Sequence, residues 1–138
     1  MRVTLDTNVL LSATLWTGSS ARIFNLIEQG EIELVLSDEI IDEYANVMYY
    51  DEIQDKIKKH NLELMIVIED LVAFSTIVTP TRKINVVLED PTDDKFIECA
   101  VEGESDYIIT NDKHLLKIKE FEGIKIITPM AFLKIFYV

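Results

Sequence analysis

Apolar positions along this chain switch several times between the pattern of buried strands and the period of about 3.6 residues that marks a helix. Residues 2–5 read as a first strand, which runs straight into an apolar helical stretch from Val9. Ser19 is placed to cap a helix over residues 20–29, and Gly30 to end it in the left-handed conformation. Residues 32–36 form a second strand, after which Ser37 or Asp38 caps a helix reaching residue 50. Residues 52–76 carry two helical segments, the first marked by Ile53 and Ile57, the second by Met65, Ile68 and Val72, with Asn61 as the break. A loop follows from Thr79 to Asp90, with a short strand over residues 85–88. Pro91-Thr-Asp-Asp94 opens a helix that Gly103 closes. A strand at 107–110, a short helix at 113–119, a strand at 124–128 and a terminal helix from Pro129 complete the chain.

Strands alternating with helices predict an α/β fold, a central parallel sheet with helices on both faces. The 138 residues fit one domain spanning 1–138, long enough to bury about 65–70% of the extended chain's surface. No linker, repeat or low-complexity tract divides them.

Composition narrows the class. A single cysteine, Cys99, excludes an intrachain disulfide and a multi-cysteine zinc site, and its apolar neighbours predict a buried thiol in a cytoplasmic protein. No stretch approaches the roughly 18 apolar residues of a membrane span. The apolar run from Val9 to Trp16 lacks the basic leader and cleavage site of a signal peptide. The net charge of −12 is opposite to the basic face of a general nucleic-acid binder. It suits carboxylates that ligate a cation, or a basic protein partner.

Two acids come at the ends of strand-like runs, Asp112 after an intervening Asn111. Asp6 ends Arg2–Leu5, and Asp112 follows Tyr107–Thr110; in a parallel sheet both leave at the carboxyl edge, where ligand sites of open α/β sheets form. Glu43 borders the apolar stripe of Ile40, Tyr44 and Val47, and so can point into a cleft at that edge. Of the doubled acid, Asp94 falls in the first helical turn and is the better ligand candidate, while Asp93 caps; the doubling leaves room for a slip of one residue. Asn8 and Thr110 supply supporting amide and hydroxyl groups. His60 and His114 are not spaced as a zinc pair, and no Gly-rich phosphate loop or nucleophile elbow is present.

Grouped carboxylates repel, by roughly 4 kcal/mol for a pair about 4 Å apart at an effective dielectric near 20, so a cluster calls for a cation. Oxygen-only ligands select Mg²⁺ or Mn²⁺. Such ions held by carboxylates hydrolyse phosphodiesters. Lys95, Lys113, Lys117 and Lys119 flank the site and could carry the substrate's phosphates.

Four segments together carry a resemblance to the PIN-domain nucleases, which include VapC-like toxins. They are Leu5–Ala13, Leu36–Tyr44, Asp90–Ala100 and Asp106–Leu115, in the family's order over nearly the whole length. The resemblance implies an α/β/α sandwich and a catalytic, metal-binding quartet at Asp6, Glu43, Asp94 and Asp112. It implies Mg²⁺- or Mn²⁺-dependent cleavage of single-stranded RNA, frequent homodimers and a basic antitoxin partner; other members process RNA. A response-regulator receiver needs an acid pair after strand one and a phospho-accepting Asp where Ser37 stands. A haloacid-dehalogenase phosphatase needs Asp where Asn8 stands. A non-catalytic PIN scaffold is opposed by the presence of all four acids.

Overall fold

The computed structural model describes residues 1–15, 17–59 and 64–137. Among them, six strands form one sheet: β1 (Arg2–Leu5), β2 (Glu33–Ser37), β3 (Ser75–Val78), β4 (Tyr107–Ile109), β5 (Glu120–Phe121) and β6 (Ile124–Ile127). Their spatial order is β3-β2-β1-β4-β6-β5. β1, β2, β3, β4 and β6 are mutually parallel, and β5 folds back antiparallel on β6 at one edge. The helices are α1 (Thr7–Leu15), α2 (Ser19–Glu28), α3 (Asp38–Met48), α4 (Asp51–Lys59), α5 (Leu64–Ala73), α6 (Asp94–Glu102), α7 (Lys113–Leu116) and α8 (Pro129–Phe136).

Helices cover both faces of the sheet, giving an α/β/α sandwich. Val3 and Tyr107 are register partners, and the Tyr107 ring meets Phe132 of α8 edge-on at 5.6 Å. Thr4, one residue on, points to the opposite face. There its hydroxyl pairs with Ser105, and the Cys99 thiol of α6 reaches the Val35 carbonyl on the same side. Burial from both sides explains why Leu34, Val35 and Leu36 are all apolar and inaccessible, where a half-exposed strand would alternate. Cys99 is free and buried, and its thiol is pushed up to about 12 by desolvation.

The caps follow local chemistry. Ser37 accepts the Ile40 N–H at 3.4 Å, and Thr128 accepts the Ala131 N–H at 3.2 Å with Pro129 in the first turn of α8. Gly30 takes φ +76° beyond α2. Ser19 is the first residue of α2 and not its cap; Gly18, at φ +110°, holds that position without a side-chain bond.

The sequence reading fails at three segments. The helix expected to reach residue 76 ends at Ala73, and Ser75–Val78 pairs with β2 from Leu34↔Ser75 to Ser37↔Val78. The β-branched run Thr76-Ile77-Val78 suits this half-buried edge. The strand expected at 85–88 does not form, because the Val86 and Val87 N–H groups are bound by the Asp94 carboxylate. The helix expected over 113–119 stops at Leu116, and Lys119 (φ +67°) leads into β5. The expected break at Asn61, and His60, lie outside the described residues.

Candidate active site

The parallel strands end on one side, and the polar residues that come after them meet there. The Asp6 N–H extends the ladder to the Ile109 carbonyl at 3.3 Å before the chain turns into α1. Asp6 Oδ1 accepts the Val9 N–H at 2.9 Å, capping α1, while Oδ2 accepts the Thr110 hydroxyl. Thr110 Oγ1 in turn accepts the Asp112 N–H at 2.9 Å, and Asp112 Oδ1 accepts the His114 N–H at 2.8 Å, capping α7. One hydroxyl thus ties the ends of β1 and β4 together.

Glu43 reaches the same place from α3, whose buried side is formed by Ile40, Tyr44 and Met48. The Tyr44 hydroxyl shares a 2.8 Å hydrogen bond with Thr14, which locks α3 to α1. Glu43 Oε1 accepts the Thr7 hydroxyl, and Oε2 pairs with Lys95 Nζ at 2.6 Å. Thr7 is a site residue that the sequence pattern does not single out. Its signal is its place in the first turn of α1, facing an acid 36 positions away, which only the fold brings near.

The doubled acid resolves against the expected assignment. A 3₁₀ turn, Pro91–Asp93, precedes α6 and sets the helix's phase. Asp93 occupies the N-cap position but makes no side-chain cap bond; its carboxyl group instead lines the same cavity as that of Asp112. Asp94 is only 5% exposed, and its Oδ1 accepts the Val86 and Val87 N–H groups, both at 2.9 Å. Asp94 therefore anchors the preceding loop, and Asp93 is the member of the pair that reaches the acidic cluster.

A cavity of about 90 Å³ results, lined by the acids Asp6, Glu43, Asp93 and Asp112, by Thr7 and Asn8, and by the apolar walls Val47 and Phe96. It has room for an ion and a few waters at roughly 30 Å³ each. Two of its carboxyls are strongly perturbed. Burial pushes Asp6 up to about 6, helped by the charges of Asp112 and Glu43 and opposed by its bonds from Thr110 and Val9. Asp93 rises to about 7 through burial, its bond with Asp112 and the charges of Asp90 and Asp112, with Lys95 opposing. Crowded acids that resist ionisation are what a divalent cation would relieve. No three His, Cys, Asp or Glu groups among the described residues already stand as a ligand set. The carboxylate oxygens are engaged instead by Thr110, Val9, Thr7, Lys95 and the His114 N–H.

The flanking lysines differ from the sequence picture. Lys95, expected as a phosphate-binding side chain, is 5% exposed; besides Glu43 it bonds the Thr92 carbonyl at 2.7 Å. Lys117 pairs with Glu89, which also lies 4.0 Å from His114 Nδ1. Lys113 and Lys119 are exposed.

A PIN-domain family model matches residues 2–114, and the chain belongs to the PIN-domain family, whose members are generally nucleases. Two solved structures share the fold. One is VapBC2 from Rickettsia felis bound to a DNA fragment from its promoter, with TM-score 0.60 and 13% identity, covering 91% of this chain and 97% of that one. The other is PAE2754 from Pyrobaculum aerophilum, with TM-score 0.61 and 12% identity, covering 100% of this chain and 91% of that one. No curated protein matches the sequence. No helix among the described residues is long and apolar enough to cross a membrane.

Proposed function

We propose that this chain is a divalent-metal-dependent endoribonuclease that hydrolyses phosphodiester bonds of single-stranded RNA. The carrying observation is that acids from β1–α1, α3, the turn before α6 and the end of β4 line one cavity at the sheet's carboxyl edge. Asp6, Asp93 and Asp112 would hold Mg²⁺ or Mn²⁺, with Glu43 beside them. Carboxylates alone, without imidazole or thiolate, suit such hard ions. When bound, an ion of this kind acidifies water and offsets the charge of a phosphodiester.

The chain's own residues do the rest. Thr110 orients Asp6 and fixes the Asp112 backbone with one hydroxyl. Thr7 and Lys95 hold the two oxygens of Glu43. Val47 and Phe96 give the cavity a dry wall, which strengthens every charge interaction inside it. Asn8 is exposed at the mouth, where its amide can meet substrate. Exposed Lys113 and Lys117 on the neighbouring turn are placed to meet the RNA backbone, Lys117 after release from Glu89.

We assign the chain to the toxin side of a toxin–antitoxin pair, acting in the cytoplasm as a single domain over residues 1–138 and as a homodimer. The net charge of −12 suits a basic antitoxin, and the Rickettsia felis neighbour is itself a VapBC structure. The test is cleavage of a labelled single-stranded RNA with Mn²⁺ or Mg²⁺. Cleavage should stop with EDTA and be lost in Asp6→Asn. Metal-dependent cutting that persists in that variant would remove the site assignment.

A further inference from the structure

Among the lysines whose side chains are described, Lys95 stands apart in being buried. It lies next to Asp94 in sequence, yet its ammonium turns away from the loop that Asp94 anchors and meets Glu43, one of the acids that line the cavity. Nζ is 2.6 Å from Glu43 Oε2, 2.7 Å from the Thr92 carbonyl and 4.9 Å from the centre of the Phe96 ring, on a side chain only 5% exposed. Its charge also acts on Asp93. A buried ammonium is costly without partners, and here a carboxylate, a carbonyl and a ring face surround it.

We infer that Lys95 is a positioning residue, the resident counter-cation of the acidic cavity, which fixes Glu43 and competes with an incoming divalent ion for it. This rests on reading the cavity as a divalent-cation site. Both Glu43 oxygens are engaged, one by Thr7 and one by Lys95, so an ion that takes Glu43 as a ligand must displace one of them. The ammonium also repels a divalent charge placed among the same acids. Removing Lys95 loosens Glu43 but removes that repulsion. Thr7 still holds one oxygen, and the charge effect at such short range outweighs the lost restraint. Lys95 thus keeps the metal-free cavity folded and weakens metal binding at the same time.

The experiment is isothermal calorimetry with Mn²⁺ on the full-length chain, paired with thermal melts across a Mn²⁺ series, for wild type, Lys95→Gln, Lys95→Met and Lys95→Arg. Lys95→Gln keeps a donor without the charge and should bind Mn²⁺ about tenfold or more tightly than wild type. Its melting temperature should be lower without metal and approach wild type with saturating Mn²⁺. Lys95→Met should behave alike, and if it does not fold, Lys95→Gln carries the test. Lys95→Arg should restore wild-type affinity and metal response. Unchanged Mn²⁺ affinity in the charge-removing variants, with the same stability deficit at every Mn²⁺ concentration, would show a merely structural lysine and overturn the inference. Reduced RNA affinity with unchanged Mn²⁺ affinity would overturn it in favour of phosphate binding. If wild type itself binds no Mn²⁺, the metal reading fails and takes this inference with it, whereas the two preceding results leave that reading standing.

Discussion

The Thr110 hydroxyl donates to Asp6 and accepts from the Asp112 backbone, so the orientations of two cavity acids depend on one oxygen. Thr110→Val keeps the shape of the side chain and removes that oxygen. The Asp112 N–H then loses its acceptor, and Asp6 loses a bond that favours its ionised form. The variant should lose about 1–3 kcal/mol of stability in urea and about 10–100-fold in Mn²⁺ affinity or cleavage rate. Serine at this position should recover most of both.

Asp93 and Asp94 should separate cleanly. Asp93→Asn removes a carboxyl that is crowded against Asp112 and Asp90, so the metal-free protein should become more stable near pH 8 while losing most Mn²⁺ affinity. Asp94→Ala strands two backbone donors, Val86 and Val87, and should cost about 2–4 kcal/mol. Parallel urea titrations and calorimetry distinguish the two patterns. A loss of stability in Asp93→Asn would contradict the crowding of these acids.

Stability should depend on pH in an unusual direction. Asp6 and Asp93 titrate at about 6 and about 7 in the folded protein, against an ordinary value of 3.8. Between those values the folded chain holds more protons than the unfolded chain, so their contribution to stability falls as pH rises from about 4 to 7. Glu33 works in the opposite sense below pH 4.5, because its bond from Thr76, and then Arg2, holds its carboxylate under its ordinary value. Urea midpoints for the metal-free protein should therefore decline between pH 5 and pH 8, and Asp93→Asn should flatten the slope.

Added metal should reverse that decline. A ligand that binds only the folded state stabilises it by about 2.7 kcal/mol at a hundred times its Kd. Binding also competes with the protons on Asp6 and Asp93. The Mn²⁺-induced rise in melting temperature should thus be small at pH 5, large at pH 8 and absent with EDTA. An equal rise at both pH values would place the ion elsewhere.

Much of this is readable without any coordinates. Asp6 and Asp112 are visible because one directly follows a strand-like run and the other comes just beyond one, after Asn111, and a parallel sheet delivers both to one edge. Glu43 is visible from its border position on the stripe of α3. The features that escape depend on phase and partners. A helical wheel counted from Phe96 puts Asp94 on the packed face, where it is indeed buried. It cannot show that this face meets the loop at Val86 and Val87, while the 3₁₀ turn Pro91–Asp93 leaves Asp93 on the cavity. Lys95 looks like a surface lysine because its partner lies 52 positions earlier in the chain (95 − 43). β3 escapes because Ser75–Val78 comes after an apolar helix with one residue between, and no Gly or Pro marks the change.

The bond between Asp6 and Thr110 joins positions 104 apart in the chain. A nascent polypeptide holding only the first three strands would carry Asp6 and Glu43 but neither Asp93 nor Asp112, and it would lack the Thr110 hydroxyl that binds the second Asp6 oxygen. The acids therefore share one cavity only once β4 has seated against β1.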